Sequence, residues 1–127
     1  MNVMVADKSR PGRGEVVVWT VGELPVEAMA RFTAAEARLY PMVVSDPAGY
    51  ELATSLVGLV VDELRRDCAD VATVLARRDE LIGRVPRLAA EAGLDPGGLP
   101  ADAVVDAASA LRWRELRATA RDGEPDA

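Results

Sequence analysis

The fold is decided by the stretch SDPAGYELATSLVGLVVDELRR, which occupies residues 45–66. Asp46 and Pro47 form the start signal of a helix, because Asp is a preferred N-cap residue and Pro suits the first helical position. Apolar residues then recur at helical spacing on two faces, which hold Tyr50, Ala53, Val57, Val60, Val61 and Leu64 on one side and Leu52, Leu56 and Leu59 on the other. A helix that is apolar on two sides has several neighbours. The stretch therefore predicts a central helix from residue 47 to about residue 66.

Gly58 lies in the middle of this predicted helix. A glycine inside a helix costs about 1 kcal/mol relative to alanine. We expect that cost to be offset by a close crossing of a second helix at Gly58. A ligand-linked π-bulge is the alternative interpretation.

A helical pattern also precedes the central helix. It starts near Leu24 and Pro25 and must stop at Pro41, since a residue before proline avoids the α region. The apolar positions of this helix are Met29, Phe32, Ala35 and Leu39. The sequence then predicts a short apolar connector at residues 42–44.

Two more helical patterns follow the central helix. Residues 67–70 indicate a tight corner, with Asp70 as the next N-cap. The helix that follows is expected to break or kink at Gly83 and Pro86. After the turn at residues 95–98, the last helix runs from Pro100 to about Arg121.

Strand character occurs only near the start of the chain. Residues 15–21 read EVVVWTV, a β-branched and aromatic run between Gly14 and Gly22. Residues 2–6 could pair with this run as a hairpin, or residues 1–13 form a flexible segment. The predicted fold class is therefore mainly α: a small bundle of about four helices with a short N-terminal β-strand or hairpin. We expect one helical domain over residues 14–121 and a frayed acidic tail over 122–127.

Composition disfavours several classes of function. The chain has 127 residues, no histidine, one cysteine and a net charge of −6. The missing histidines remove the commonest general base and metal ligand, and the acidic balance disfavours nucleic acid as a partner. The longest apolar run, residues 52–61, is about half a membrane span. We predict a cytoplasmic protein with no cofactor, no bound metal and no membrane or nucleic-acid partner.

Binding residues are predicted where tryptophan stands beside arginine. Trp113 lies between Arg112 and Arg114, and Trp with Arg is the composition of an interface hot spot. Trp113 is expected to point away from part of the apolar stripe of its helix; a tryptophan that closes one end of the core is the alternative. Trp19, on the predicted strand, carries the same two interpretations.

Chemistry-bearing residues are few. Glu63, Asp67 and Asp70 would share one face of an unbroken helix and could hold magnesium, but the predicted corner separates Asp67 from Asp70. We interpret them as solvated or capping residues, and Cys68 as a small buried or corner residue. The first function hypothesis is a non-catalytic protein–protein interaction or accessory module, self-associating as a homo-oligomer or bound to another protein. The second is a small-molecule-sensing regulatory bundle with an enclosed pocket near Met29, Tyr50 and Gly58, and the third a carboxylate–magnesium hydrolase.

Overall fold

The computed structural model describes residues 24–123, and this part of the chain is mainly helical. Its helices are α1 Val26–Leu39, α2 Met42–Ser45, α3 Pro47–Asp67, α4 Val71–Ala76, α5 Arg78–Glu91 and α6 Ala101–Gly123. The mainly α class and the bundle are confirmed for these residues. The predicted strand at 15–21, the segment 1–13 and the residues after 123 lie outside the described range.

Asp side chains begin two of the helices, as predicted. The Gly49 N–H donates to the Asp46 carboxylate at 3.1 Å at the start of α3. The Thr73 N–H donates to the Asp70 carboxylate at 2.8 Å at the start of α4. Each carboxylate satisfies a donor that the first helical turn leaves without an intrahelical partner. The Asp70 cap lies at the corner that the sequence predicts between α3 and α4.

The break in the third helical segment lies elsewhere than predicted. α5 runs through both Gly83 and Pro86, so the expected break there is wrong. The interruption falls at Arg77, between α4 and α5, with φ −90° and ψ 3°. The Arg77 guanidinium donates to Asp67 at 3.0 Å and to Glu80 at 3.0 Å and 3.1 Å. These ion pairs tie the corner after α3 to the first turn of α5.

Helix α6 is the hub of the bundle. It packs against α1, α3, α4 and α5, whereas α1 and α3 scarcely touch each other. The main core lies where α6 meets α3 and α5, and its largest fully buried members include Leu56, Val60, Leu64, Val74, Leu81, Val104 and Val105. Because α1 and α3 both pack on α6 and approach each other at few points, a gap remains between them.

The buried stripe of α1 differs from the predicted one by one position. Ala28, Phe32, Ala35 and Leu39 are buried, whereas Met29 is 43% exposed. The prediction of a core role for Met29 is therefore wrong. Adjacent positions lie about 100° apart around a helix, so a stripe that includes Ala28 leaves Met29 towards solvent.

Candidate functional site

The gap between α1 and α3 is a groove of about 940 Å³. Its floor is a stripe of α6 side chains at Ala107, Leu111, Arg114 and Ala118, spaced i, i+4, i+7 and i+11. Its walls come from the end of α1 and the length of α3, and the apolar wall residues are Leu39, Ala53, Val57, Leu59 and Val61. The groove is partly open to solvent, so an extended ligand could lie along it.

Leu111 is an apolar residue of the groove floor that remains exposed to solvent. Its side chain is 42% exposed, although it belongs to the helix that every main element packs against. Ala107, one turn earlier on the same stripe, is half-buried and lines the same floor. An apolar floor left open to water is a feature of surfaces that receive a partner or ligand.

Gly58 belongs to the wall of the groove and not to a helix crossing. It is exposed, and a Cβ built on its backbone would have no atom within 4 Å outside the local helix. The expected close helix contact at Gly58 is therefore wrong. The missing side chain instead leaves space on the α3 wall, where any larger residue would project into the groove.

Ion pairs hold the walls to the floor. Arg114 donates to Glu36 at 2.8 Å and joins α6 to α1. Arg65 donates to Glu115 in two hydrogen bonds, one of them 3.1 Å from Nε, and joins α3 to α6. The Arg65 hydrogen bond is the main cause that holds the pKa of Glu115 below its ordinary value, with a smaller contribution from Arg112.

These ion pairs also shape the chemistry of the groove. Arg65 donates as well to Asp62 at 3.1 Å, and the pKa of Arg65 is raised mainly by its bond to Glu115. The charged side chains along the rim thus neutralise one another, and the space between them is apolar. Tyr40, Tyr50, Thr54 and Ser55 add hydroxyl groups at the end where α1 stops and α3 starts.

Trp113 lies on the far side of α6 from this groove. Its side chain is 8% exposed and packs with Phe32, the ring centroids 6.4 Å apart at 43°. The Arg117 guanidinium lies 5.5 Å from the indole centroid, in a cation–π contact. Trp113 and Phe32 belong to a second apolar cluster, whose other buried members are Ala28, Val71 and Ala110. Of the two interpretations of Trp113, the burial and packing of the indole favour the one in which it closes one end of the core. A binding role for it stays a prediction.

The other predicted binding residues are separated by the fold. Arg112 donates to the Cys68 carbonyl oxygen at 2.9 Å and to Glu115 at 3.2 Å, which ties α6 to the corner after α3. Arg114, two residues later, lines the groove. Of the predicted set, Arg114 alone within the described residues lines this groove, and Trp19 lies outside the described range.

Two carboxylates are buried beside arginines. Glu63 is 7% exposed and accepts from Arg66 and, at 3.0 Å, from Arg84. Asp106 is 5% exposed and accepts two hydrogen bonds from Arg78, at 2.7 Å and 2.9 Å. The interpretation of Glu63 as a solvated residue is therefore wrong, and Asp106 is not among the predicted residues. An acidic residue inside an otherwise apolar helical stripe was the available signal.

The described residues contain no group of three or more histidine, cysteine, aspartate or glutamate side chains placed to hold a metal ion. No helix among residues 24–123 is long and apolar enough to cross a membrane. Comparison of the chain with protein-family models, with curated proteins and with solved structures finds no match.

Proposed function

We propose that this protein is a non-catalytic interaction module whose groove between α1 and α3 receives an apolar segment of a protein partner. The observation that carries the proposal is the exposed floor of the groove at Leu111, on the central helix of the bundle. Grooves between helices bind amphipathic segments by burying their apolar side chains, while polar rims set the register. The groove has both parts.

The dimensions of the groove suit a segment of peptide. Along α3 the wall runs from Tyr50 to Arg65, a rise of about 22 Å at 1.5 Å per residue. That length accommodates about four turns of a helix. The rim pairs Glu36–Arg114 and Arg65–Glu115 already satisfy each other, so an apolar occupant would leave no charge unpaired.

A small-molecule sensor is the second candidate. Tyr50 and Gly58 line the groove, whereas Met29, the third residue of that hypothesis, does not, and a volume of about 940 Å³ lies at the upper end of the range for ligand pockets. The groove is partly open to solvent, however, whereas a pocket for a small ligand buries most of the ligand surface. The open form favours a peptide-like partner. A second copy of the chain remains the alternative partner within the same class.

Selection from a random peptide library tests the proposal. The full chain would be immobilised to capture peptides. Peptides that also bind the variant Leu111→Arg, which places a charge on the groove floor, would then be removed. The variant Val44→Arg is the matched control, because Val44 is 83% exposed and does not line the groove. We expect enriched peptides with apolar residues at helical or alternating spacing that bind the control variant and not Leu111→Arg. Peptides that bind all three proteins equally, or a library without enrichment, would contradict the proposal.

A further inference from the structure

Two tyrosines lie at one end of the groove. Tyr40 and Tyr50 line it where α1 stops and α3 starts, and the side chain of Tyr40 is 56% exposed. The face of a tyrosine ring attracts a cation. Within residues 24–123 no arginine or lysine lies over either ring. These aromatic groups are therefore left for a cation that a ligand brings.

A carboxylate stands beside the tyrosines. Glu51 follows Tyr50 directly and is exposed. It precedes Thr54 and Ser55 by one helical turn, and side chains three and four positions apart share a face of a helix. Within the described residues the Glu51 carboxylate forms no hydrogen bond and no ion pair. Glu51 therefore places an uncompensated negative charge at this end of the groove.

The C-terminus of α1 adds to the negative potential at the same place. The last carbonyl groups of a helix have no intrahelical donors and carry its partial negative charge. α1 ends at Leu39, and both Leu39 and Tyr40 line the groove. Pro41 has no N–H, so the Ala37 carbonyl lacks the donor that a residue four positions later would otherwise supply. The tyrosine rings, the carboxylate and the helix end all favour a positive charge.

We propose that the segment received by the groove carries a lysine or arginine at the end that lies beside Tyr40, Tyr50 and Glu51. The inference rests on the proposed function of the groove and names the chemistry of the partner, a basic amphipathic segment of another protein. The net charge of −6 attracts such a partner before contact. A second copy of the chain suits this end less well, because it brings the same negative charge.

The other charges of the groove set the orientation of the segment. Glu36 is paired with Arg114, and Glu115 is paired with Arg65. A cation at either pair would lie against an arginine that already neutralises the carboxylate. Glu51 has no such competitor within the described residues. The cation therefore binds at the tyrosine end, and the apolar side chains of the segment lie over the floor.

Helix α3 sets the spacing between the cation and the apolar side chains. Gly58, which leaves open space on the α3 wall, lies seven residues after Glu51, a rise of about 10 Å. A helical segment covers that distance in about seven residues and an extended segment in about three. We therefore expect a bulky apolar residue at one of these two distances from the cation.

Peptides from the random library that bind the full chain and not Leu111→Arg test the inference. We expect lysine or arginine to be enriched at one position of these peptides. One such peptide, and its variant with glutamine at that position, are then measured by fluorescence anisotropy on the wild type, Glu51→Gln, Tyr40→Leu and Glu27→Gln. Glu27→Gln is the matched control, because it removes the same charge from an exposed residue that does not line the groove.

The two peptides should differ most on the wild type and the control. There, loss of the peptide cation should weaken binding about fivefold, as expected for an exposed ion pair together with a cation–π contact. The same loss should matter less than about twofold in Glu51→Gln, and Tyr40→Leu should also reduce it, because the cycle isolates the contact between the two partners. Both Tyr40 and Glu51 are exposed, so these variants keep the packing of the core.

The outcomes separate this inference from the proposed function. Groove-dependent peptides without an enriched cation overturn the inference and leave the proposed function standing. A cation whose loss costs the same affinity in the wild type, Glu51→Gln and Tyr40→Leu has the same meaning. A library without any groove-dependent peptide overturns both. A dimer in light scattering that Leu111→Arg dissociates also overturns the inference, because a second copy then occupies the groove.

Discussion

Leu111 and Trp113, two residues apart on α6, lie on opposite sides of that helix. Leu111 is 42% exposed on the floor of the groove, and Trp113 is 8% exposed in the cluster around Phe32. Two positions correspond to about 200° around a helix, so neighbouring apolar residues serve different faces. The face with Trp113 completes the core, and the face with Leu111 lines the groove.

Trp113 should contribute strongly to stability through its buried ring. Trp113→Ala removes a buried ring from its packing with Phe32, and we expect a loss of about 3–5 kcal/mol in the free energy of unfolding, measured in urea. Leu111→Ala should cost less than about 1.5 kcal/mol, because much of that side chain is already in water. Equal losses for the two variants would contradict the placement of these residues.

Two glycines of α3 should respond to alanine with opposite signs. Gly58→Ala should raise the free energy of unfolding by about 0.5–1 kcal/mol, since its Cβ would enter open space and alanine favours the helix. Gly49→Ala should lower it by about 1 kcal/mol or more, because its Cβ would lie 2.3 Å from the Asp46 carboxylate and displace the N-cap. Thermal or urea unfolding of both variants checks the pair. A loss of stability in Gly58→Ala would contradict the open space at Gly58 and indicate a close helix crossing there.

The buried Asp106 should be costly to remove while its partner remains. Asp106→Ala leaves the Arg78 guanidinium without its two hydrogen bonds, and we expect a loss of about 3–5 kcal/mol. The double variant Asp106→Leu with Arg78→Met removes both charges and should recover part of that loss. Urea unfolding of Asp106→Leu, of Arg78→Met and of the double variant measures the coupling between the two residues. A double variant no more stable than Asp106→Ala would contradict this interpretation.

Glu115 should make stability depend on acidic pH. Its pKa in the folded protein is held below the ordinary value of 4.5, chiefly by Arg65, so the folded state favours the charged carboxylate. The resulting stabilisation is fully present above about pH 4.5 and is lost as the pH falls through the lowered folded pKa. We therefore expect Glu115→Gln to be less stable than the wild type at pH 7, with the difference shrinking in acid. A difference that is constant from pH 7 to pH 3 would show that Arg65 does not act on this carboxylate.

Local signals predicted the helices well. Asp46 and Asp70 begin helices in the structure because an N-cap needs only its own first turn. Gly93 and Gly97, with φ of +75° and +56°, sit in the turn region between α5 and α6 that the sequence marks. The break at Arg77 was missed, because it involves an ion pair with Asp67, ten residues away, and carries no glycine or proline.

The candidate site was predicted only in part, for a reason that lies in packing. α6 is apolar on several sides, and its sequence does not state how many neighbours it has. Residue type favours Trp113 as the binding residue, yet Leu111 is the one left exposed where α1 and α3 approach each other at few points. The sequence shows that Gly58 lowers the stability of its helix, but the place of Gly58 on the groove wall follows only from the arrangement of three helices.

The most direct test of the groove is the affinity of one library-selected peptide for three proteins, measured by fluorescence anisotropy: the wild type, Leu111→Arg and Val44→Arg. We expect Leu111→Arg to weaken binding by about tenfold or more, equivalent to about 1.4 kcal/mol, while Val44→Arg binds as the wild type does. The same affinity for all three proteins would place the binding surface elsewhere and contradict the account.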